Sequence, residues 1–139
     1  MKKIWILTTA LFVSIASMAQ VKLEETVKMN VESHEFGKIK QGEPVTYSFE
    51  IKNIGTKPLV VENSWASCGC TTPERIAEPI LPGATAKLKV QYNAAAVAPF
   101  TKDVYIKFAG IDETKTVKIT GEVLSAEAYE AYKKQAPKQ

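Results

Sequence analysis

Apolar and polar residues alternate along most of the chain. In "PVTYSFEIKN", Val45, Tyr47, Phe49 and Ile51 fall on one face and Thr46, Ser48, Glu50 and Lys52 on the other, the period-two pattern of a strand with one wet face. "ATAKLKVQYN" repeats it with Ala86, Leu88, Val90 and Tyr92 inward. "DVYIKFAG" adds Val104, Ile106 and Phe108, and "TVKITGEV" adds Val117 and Ile119. "TVKMNVES" and "PLVVENSW" also read as strands. Turn signals punctuate these runs: Gly37 and Gly42 around "KIKQ", Asn53, Gly55 and Pro58 in "NIGTKP", Pro82-Gly83 as a type II turn, and "AGIDET" closing a last hairpin. No helical periodicity precedes Ser125. The pattern predicts an all-β fold, an immunoglobulin-like antiparallel β-sandwich of about seven strands over residues 20–124.

The two ends depart from this pattern. The tail, residues 125–139, is rich in Ala, Glu and Lys, with Glu130 and Lys134 spaced as a helical pair. It is too short for a helix that stands alone, so a short helical or frayed segment, or disorder, is expected, with docking of Tyr129 and Tyr132 as the alternative. At the other end Lys2 and Lys3 precede an apolar run from Ile4 to Ala16, followed by Ser17-Met18-Ala19-Gln20. This reads as a signal peptide over residues 1–19, cut after Ala19. The run is short of the ~20 residues that span hydrocarbon. The expected location is periplasmic or secreted, with no membrane span after cleavage.

Charge adds little. Loss of Lys2 and Lys3 lowers the 18 basic residues to 16 against 15 acids. The lysines are scattered across wet strand faces rather than gathered into a stripe, which gives no footprint for nucleic acid.

The chemistry sits in "SWASCGCTTP". It carries the chain's 2 cysteines, Cys68 and Cys70, separated by Gly69. Three readings follow from their spacing. If the chain is extended, the two Cα atoms lie at the upper limit for bridging; if Gly69 bends it, the sulfurs can join in a tight ring that opens easily to thiols. Two thiolates on one side would also suit a soft ion such as Cu(I); zinc asks for four ligands, and only the distant His34 could be added. The third reading has both cysteines as small residues packed in the core, with small neighbours allowing close backbone approach.

Nucleophilic catalysis needs a cation or histidine beside the thiol. Arg75 is nearby in sequence but sits next to Glu74, and His34 belongs to a loop or strand end. With no other catalytic motif in view, the expectation is a non-enzymatic protein with no obligatory cofactor. Trp65, the mature chain's sole tryptophan, is expected to plug the sandwich end; a fainter reading makes Trp65, with Tyr105, a carbohydrate platform. The candidate binding residues are Trp65, Cys68, Gly69, Cys70 and Thr71, with "AAAVAPF" (Ala94 to Phe100) either an apolar patch or a packed crossing.

From Phe36 to Val123 the chain resembles the bacterial secreted family known as domain of unknown function 1573. The resemblance is carried by "EFGKIKQGEPVTYSFEIKNIGTKPLVV", "SCGCTTP", "ILPGATAKLKVQYNA", "PFTKDVYI" and "KITGEV". It implies an immunoglobulin-like sandwich, related in shape to Hydin-type and major-sperm-protein-like domains. It implies no activity, since that family has none settled. Taken together, these features lead to the expectation of an exported binding or assembly module of the cell envelope with a protein partner. The alternative is thiol redox or Cu(I) handling through Cys68 and Cys70.

Overall fold

A computed structural model describes residues 20–136; the expected leader and cleavage site up to Ala19 lie outside the described residues. Helix α1 (Leu23–Thr26) is followed by eight strands: β1 (Val27–Met29), β2 (Ser33–Lys40), β3 (Val45–Asn53), β4 (Val61–Ala66), β5 (Thr71–Pro73), β6 (Thr85–Tyr92), β7 (Pro99–Phe108) and β8 (Thr114–Leu124). Helix α2 (Ala126–Gln135) is the last described element. One sheet has the order β1-β3-β6-β5 and the other β2-β8-β7-β4. The core lies between them, where Phe49, Ile51, Leu88, Val90, Val104, Ile106, Phe108 and Ile119 are wholly buried. These are the inward positions that the alternation predicts.

The expected single strand "TVKMNVES" is in fact a switch between sheets. Its first part is β1, paired with β3, and Asn30 still bonds that sheet by accepting from the Glu50 N–H at 2.9 Å. By Glu32 the chain has joined the other sheet, where the Lys118 N–H reaches the Glu32 carbonyl at 2.8 Å. As a result β2 pairs with β8 in parallel, the exception in an otherwise antiparallel sandwich. Just before β1, the helical turn Leu23–Thr26 stands where no helical periodicity was legible, and Leu23 is buried beneath it.

Two bulges set which side chains face inward. On β2, the step from Glu35 to Lys38 spans the step from Thr120 to Glu122 on β8, so β2 carries one extra residue. The bulge is at Phe36-Gly37, and Gly37 takes φ +69°, a conformation that costs any side chain. Gly37 is therefore not the turn that its position suggested. The bulge turns Phe36 and Ile39 toward the core although they are three residues apart. On β4, Val61 opposes Phe108 and Asn63 opposes Lys107, leaving Glu62 as the extra residue.

Within the tail, Ala126–Gln135 form a helix. Ser125 caps it by accepting from the Ala128 N–H at 3.2 Å, and the Lys38 ammonium lies 4.9 Å from the centre of the Tyr132 ring. Of the forms expected for this segment, the short helix is the one present, with Tyr132 in contact with the sandwich. The docking is light, for no residue of α2 is buried. Among the described residues no helix is long and apolar enough to cross a membrane.

Candidate functional site at the Cys-Gly-Cys corner

β4 and β5 are edge strands of different sheets, and the chain passes between them through Ser67 to Cys70. Both sides of this passage are bolted to the sandwich. The Ser67 N–H donates to the Asp103 carbonyl at 2.9 Å, and Ser67 Oγ accepts from the Asp103 N–H at 3.2 Å, prolonging the β4–β7 ladder. Beyond the turn the Asn93 N–H donates to the Cys70 carbonyl at 3.0 Å, and β5 pairs with β6 from Thr71 to Pro73. Between these anchors Cys68 to Thr71 makes a turn closed by the Thr71 N–H on the Cys68 carbonyl at 3.3 Å.

Within that turn Cys68 and Cys70 are joined by a disulfide, with Cα atoms 5.3 Å apart. The bend at Gly69 brings the sulfurs together, and the reading of two free core thiols is overturned. Gly69 does not act by close approach: a Cβ there would meet nothing within 4 Å. Thr71 lies beneath the bridge, 4% exposed, with its hydroxyl 3.8 Å from the Cys68 sulfur and 3.9 Å from that of Cys70. Cys70 rests against the core while Gly69 faces solvent.

Trp65 is not the plug that its size suggested. It is 40% exposed, on the outer face of its sheet, with its ring stacked on Tyr105 at 5.5 Å and 28°. The bulge at Glu62 explains the reversal. Without it, Val61, Asn63 and Trp65 would share the inward face; with it, Ser64 and Ala66 oppose the buried Ile106 and Val104, and Trp65 opposes Tyr105 outside. A bulge leaves no mark in the apolar pattern. Next to this aromatic pair a cleft of about 190 Å³ opens between the two edge strands, lined by Val61, Glu62, Asn63, Ser64, Pro73 and Arg75.

Other candidates are scattered. His34 is on β2, at the edge of its sheet opposite β4. Its ring stacks on Tyr47 at 3.6 Å and meets Phe36 edge-on at 4.7 Å, and partial burial holds its imidazole below the ordinary value. It closes that side of the sandwich and is no partner for the cysteines. No group of three or more His, Cys, Asp or Glu side chains is arranged to hold a metal among the described residues. In "AAAVAPF", Ala94 and Phe100 are buried and Val97 is exposed, so the segment is a packed crossing with one apolar tip. Asn53, read from sequence only as a turn residue, is a wholly buried hub: its amide donates to the Lys57 and Ile80 carbonyls at 2.8 and 2.7 Å and accepts from the Gly55 N–H at 2.9 Å.

The fold is shared widely at low identity. A Porphyromonas gingivalis W83 protein of unknown function superposes with a TM-score of 0.59 at 18% identity, over 76% of this chain and 51% of that one. The chain thus spans about half the length of that relative. The ASH / PapD-like domain 7 of human CEP192 matches with a TM-score of 0.59 at 14% identity, over 82% of this chain and 96% of that one. The Vibrio cholerae VesB protease matches with a TM-score of 0.58 at 15% identity, over 73% of this chain and 33% of the protease. At such identities the likeness concerns the fold alone. No curated protein matches the sequence. The profile of the family described as Protein of unknown function (DUF1573) matches residues 27–123, from the first strand to the end of the core, and the chain belongs to that family.

Proposed function

We propose that the protein is an exported binding module that receives a partner polypeptide along the open side of the sandwich, between β4 and β5. The observation that carries this reading is the outward Trp65, stacked on Tyr105 on an edge strand beside the disulfide-closed corner. An edge strand offers unpaired backbone groups to an incoming strand, and a large aromatic held by a neighbour is a low-entropy anchor. The short bridge stiffens the turn that carries the chain from one sheet edge to the other. Its presence supports export, because such bonds persist outside the reducing cytoplasm. Sulfurs already bonded to each other are not nucleophiles, which favours binding over catalysis at this corner.

The test is recovery from a cell-envelope extract with wild type, Trp65→Ala and Leu81→Ala. Leu81 is more open to solvent than Trp65, 61% against 40%, but sits in the turn at the far end of β6. We expect a discrete partner on wild type and on Leu81→Ala, with recovery on Trp65→Ala falling by ~30-fold, as for an aromatic anchor worth about 2 kcal/mol. Equal recoveries on all three would remove the reading.

A second reading, thiol exchange, is favoured by the bond itself. A bridge between residues two apart closes too small a loop to gain much from chain entropy, and so resists reduction less than a structural staple. Cu(I) binding through Cys68 and Cys70 would first require that the bond be reduced to two thiolates. Copper taken up by the protein before any reductant is added would contradict this order.

A further inference from the structure

At the opposite end of the fold, the first described residues close against the sandwich. Leu23 is buried, and three residues before it the Gln20 side-chain amide donates to Asp112 Oδ2. Gln20 and Val21 line the mouth of a cleft of about 490 Å³ whose walls include Ile54, Pro58, Leu59 and Ile111. Val21 and Ile54 remain half-exposed there, at 49% and 44%. The residue at this mouth is the one that cleavage after Ala19 would leave as the amino terminus.

We propose that Gln20, freed by that cleavage, closes to pyroglutamate, and that the lactam is the end group seated at the cleft beside Asp112. This rests on the export reading above. The α-amine attacks the side-chain Cδ, a C–N bond forms, the Cδ–Nε2 bond breaks, and Nε2 leaves as ammonia with the proton given up by the α-nitrogen. No oxidant or reductant is consumed. Asp112 accepts a hydrogen bond from Nε2, the leaving nitrogen, and so holds the amide at the surface where the new terminus emerges; it acts as a positioning residue.

The experiment labels free amines on mature protein at the moment it is released from the cell envelope, then reads its amino-terminal peptide by mass spectrometry. The expected peptide begins at residue 20, carries no amine label and is about 17 Da lighter than the open glutamine form. A labelled peptide beginning with open Gln20 would overturn the lactam while leaving export intact. A peptide beginning elsewhere, or one retaining the leader, would overturn the cleavage on which both readings rest. In a pulse of new synthesis, Asp112→Asn should slow the 17 Da loss several-fold relative to wild type, about the effect of weakening one charge-assisted hydrogen bond. Equal rates would overturn the positioning role.

Discussion

Replacing Asn53 by leucine should lower stability by about 3 kcal/mol, a loss of ~10–15 °C in melting temperature for a domain of this size. Leucine has the same number and branching of side-chain heavy atoms and is at home in a core, so shape alone predicts a modest change. Hydrogen bonding predicts the opposite. The Asn53 side chain satisfies the Lys57 and Ile80 carbonyls and the Gly55 N–H, and its backbone bonds Ala84 and Gly83 at 3.0 and 2.8 Å. It thereby ties the β3–β4 connection to the turn before β6. Leucine removes three side-chain hydrogen bonds around a wholly buried position, taking the Gly55 N–H's partner and leaving the Ile80 carbonyl with the Leu59 N–H alone, at ~1 kcal/mol for each bond lost. Urea unfolding of the two proteins measures the difference, and a loss under about 1 kcal/mol would show that the hub is dispensable.

Gly121→Ala should cost about 2–3 kcal/mol, although it adds a single methyl group. A Cβ at Gly121 would lie 2.7 Å from Phe100 Cε1 and Cζ and 2.9 Å from the Gly37 carbonyl oxygen. Phe100 cannot swing aside, because its ring stacks on Tyr92 at 4.0 Å and neighbours Phe36. Gly37 cannot withdraw without undoing the β2 bulge that faces Phe36 and Ile39 to the core. Phe100→Leu in the Gly121→Ala background should recover part of the loss, since the two positions are cross-strand partners and their effects should not add. Additive effects in the four-protein cycle would contradict the contact.

The alternation in β3, β6, β7 and β8 was enough to name the buried faces and the sandwich, because those long strands have one dry face and regular register. Wherever the chain switches sheets or gains a residue, that logic fails. The bulge at Glu62 inverted the reading of Trp65, and the bulge at Gly37 hid a strand inside what read as a turn. β5 is three residues long and has too little pattern to be seen. Asn53 was visible as part of "NIGTKP", yet its burial depends on Ile80, which is distant in sequence. At the corner, Cys68 and Cys70 were legible as a pair, but their spacing left bond, metal and packing all open. Only the turn from Cys68 to Thr71, held at both ends by β7 and β6, decides among these.

The central claim is that a Cys68–Cys70 bond closes the turn through which the chain passes from one sheet edge to the other beside Trp65. Alkylation of the protein taken directly from cells, read by intact mass before and after reduction, tests it most directly. The account predicts no alkylation until a reductant is added and then modification of both cysteines in the same chain. Alkylation of Cys68 and Cys70 without reductant would contradict it.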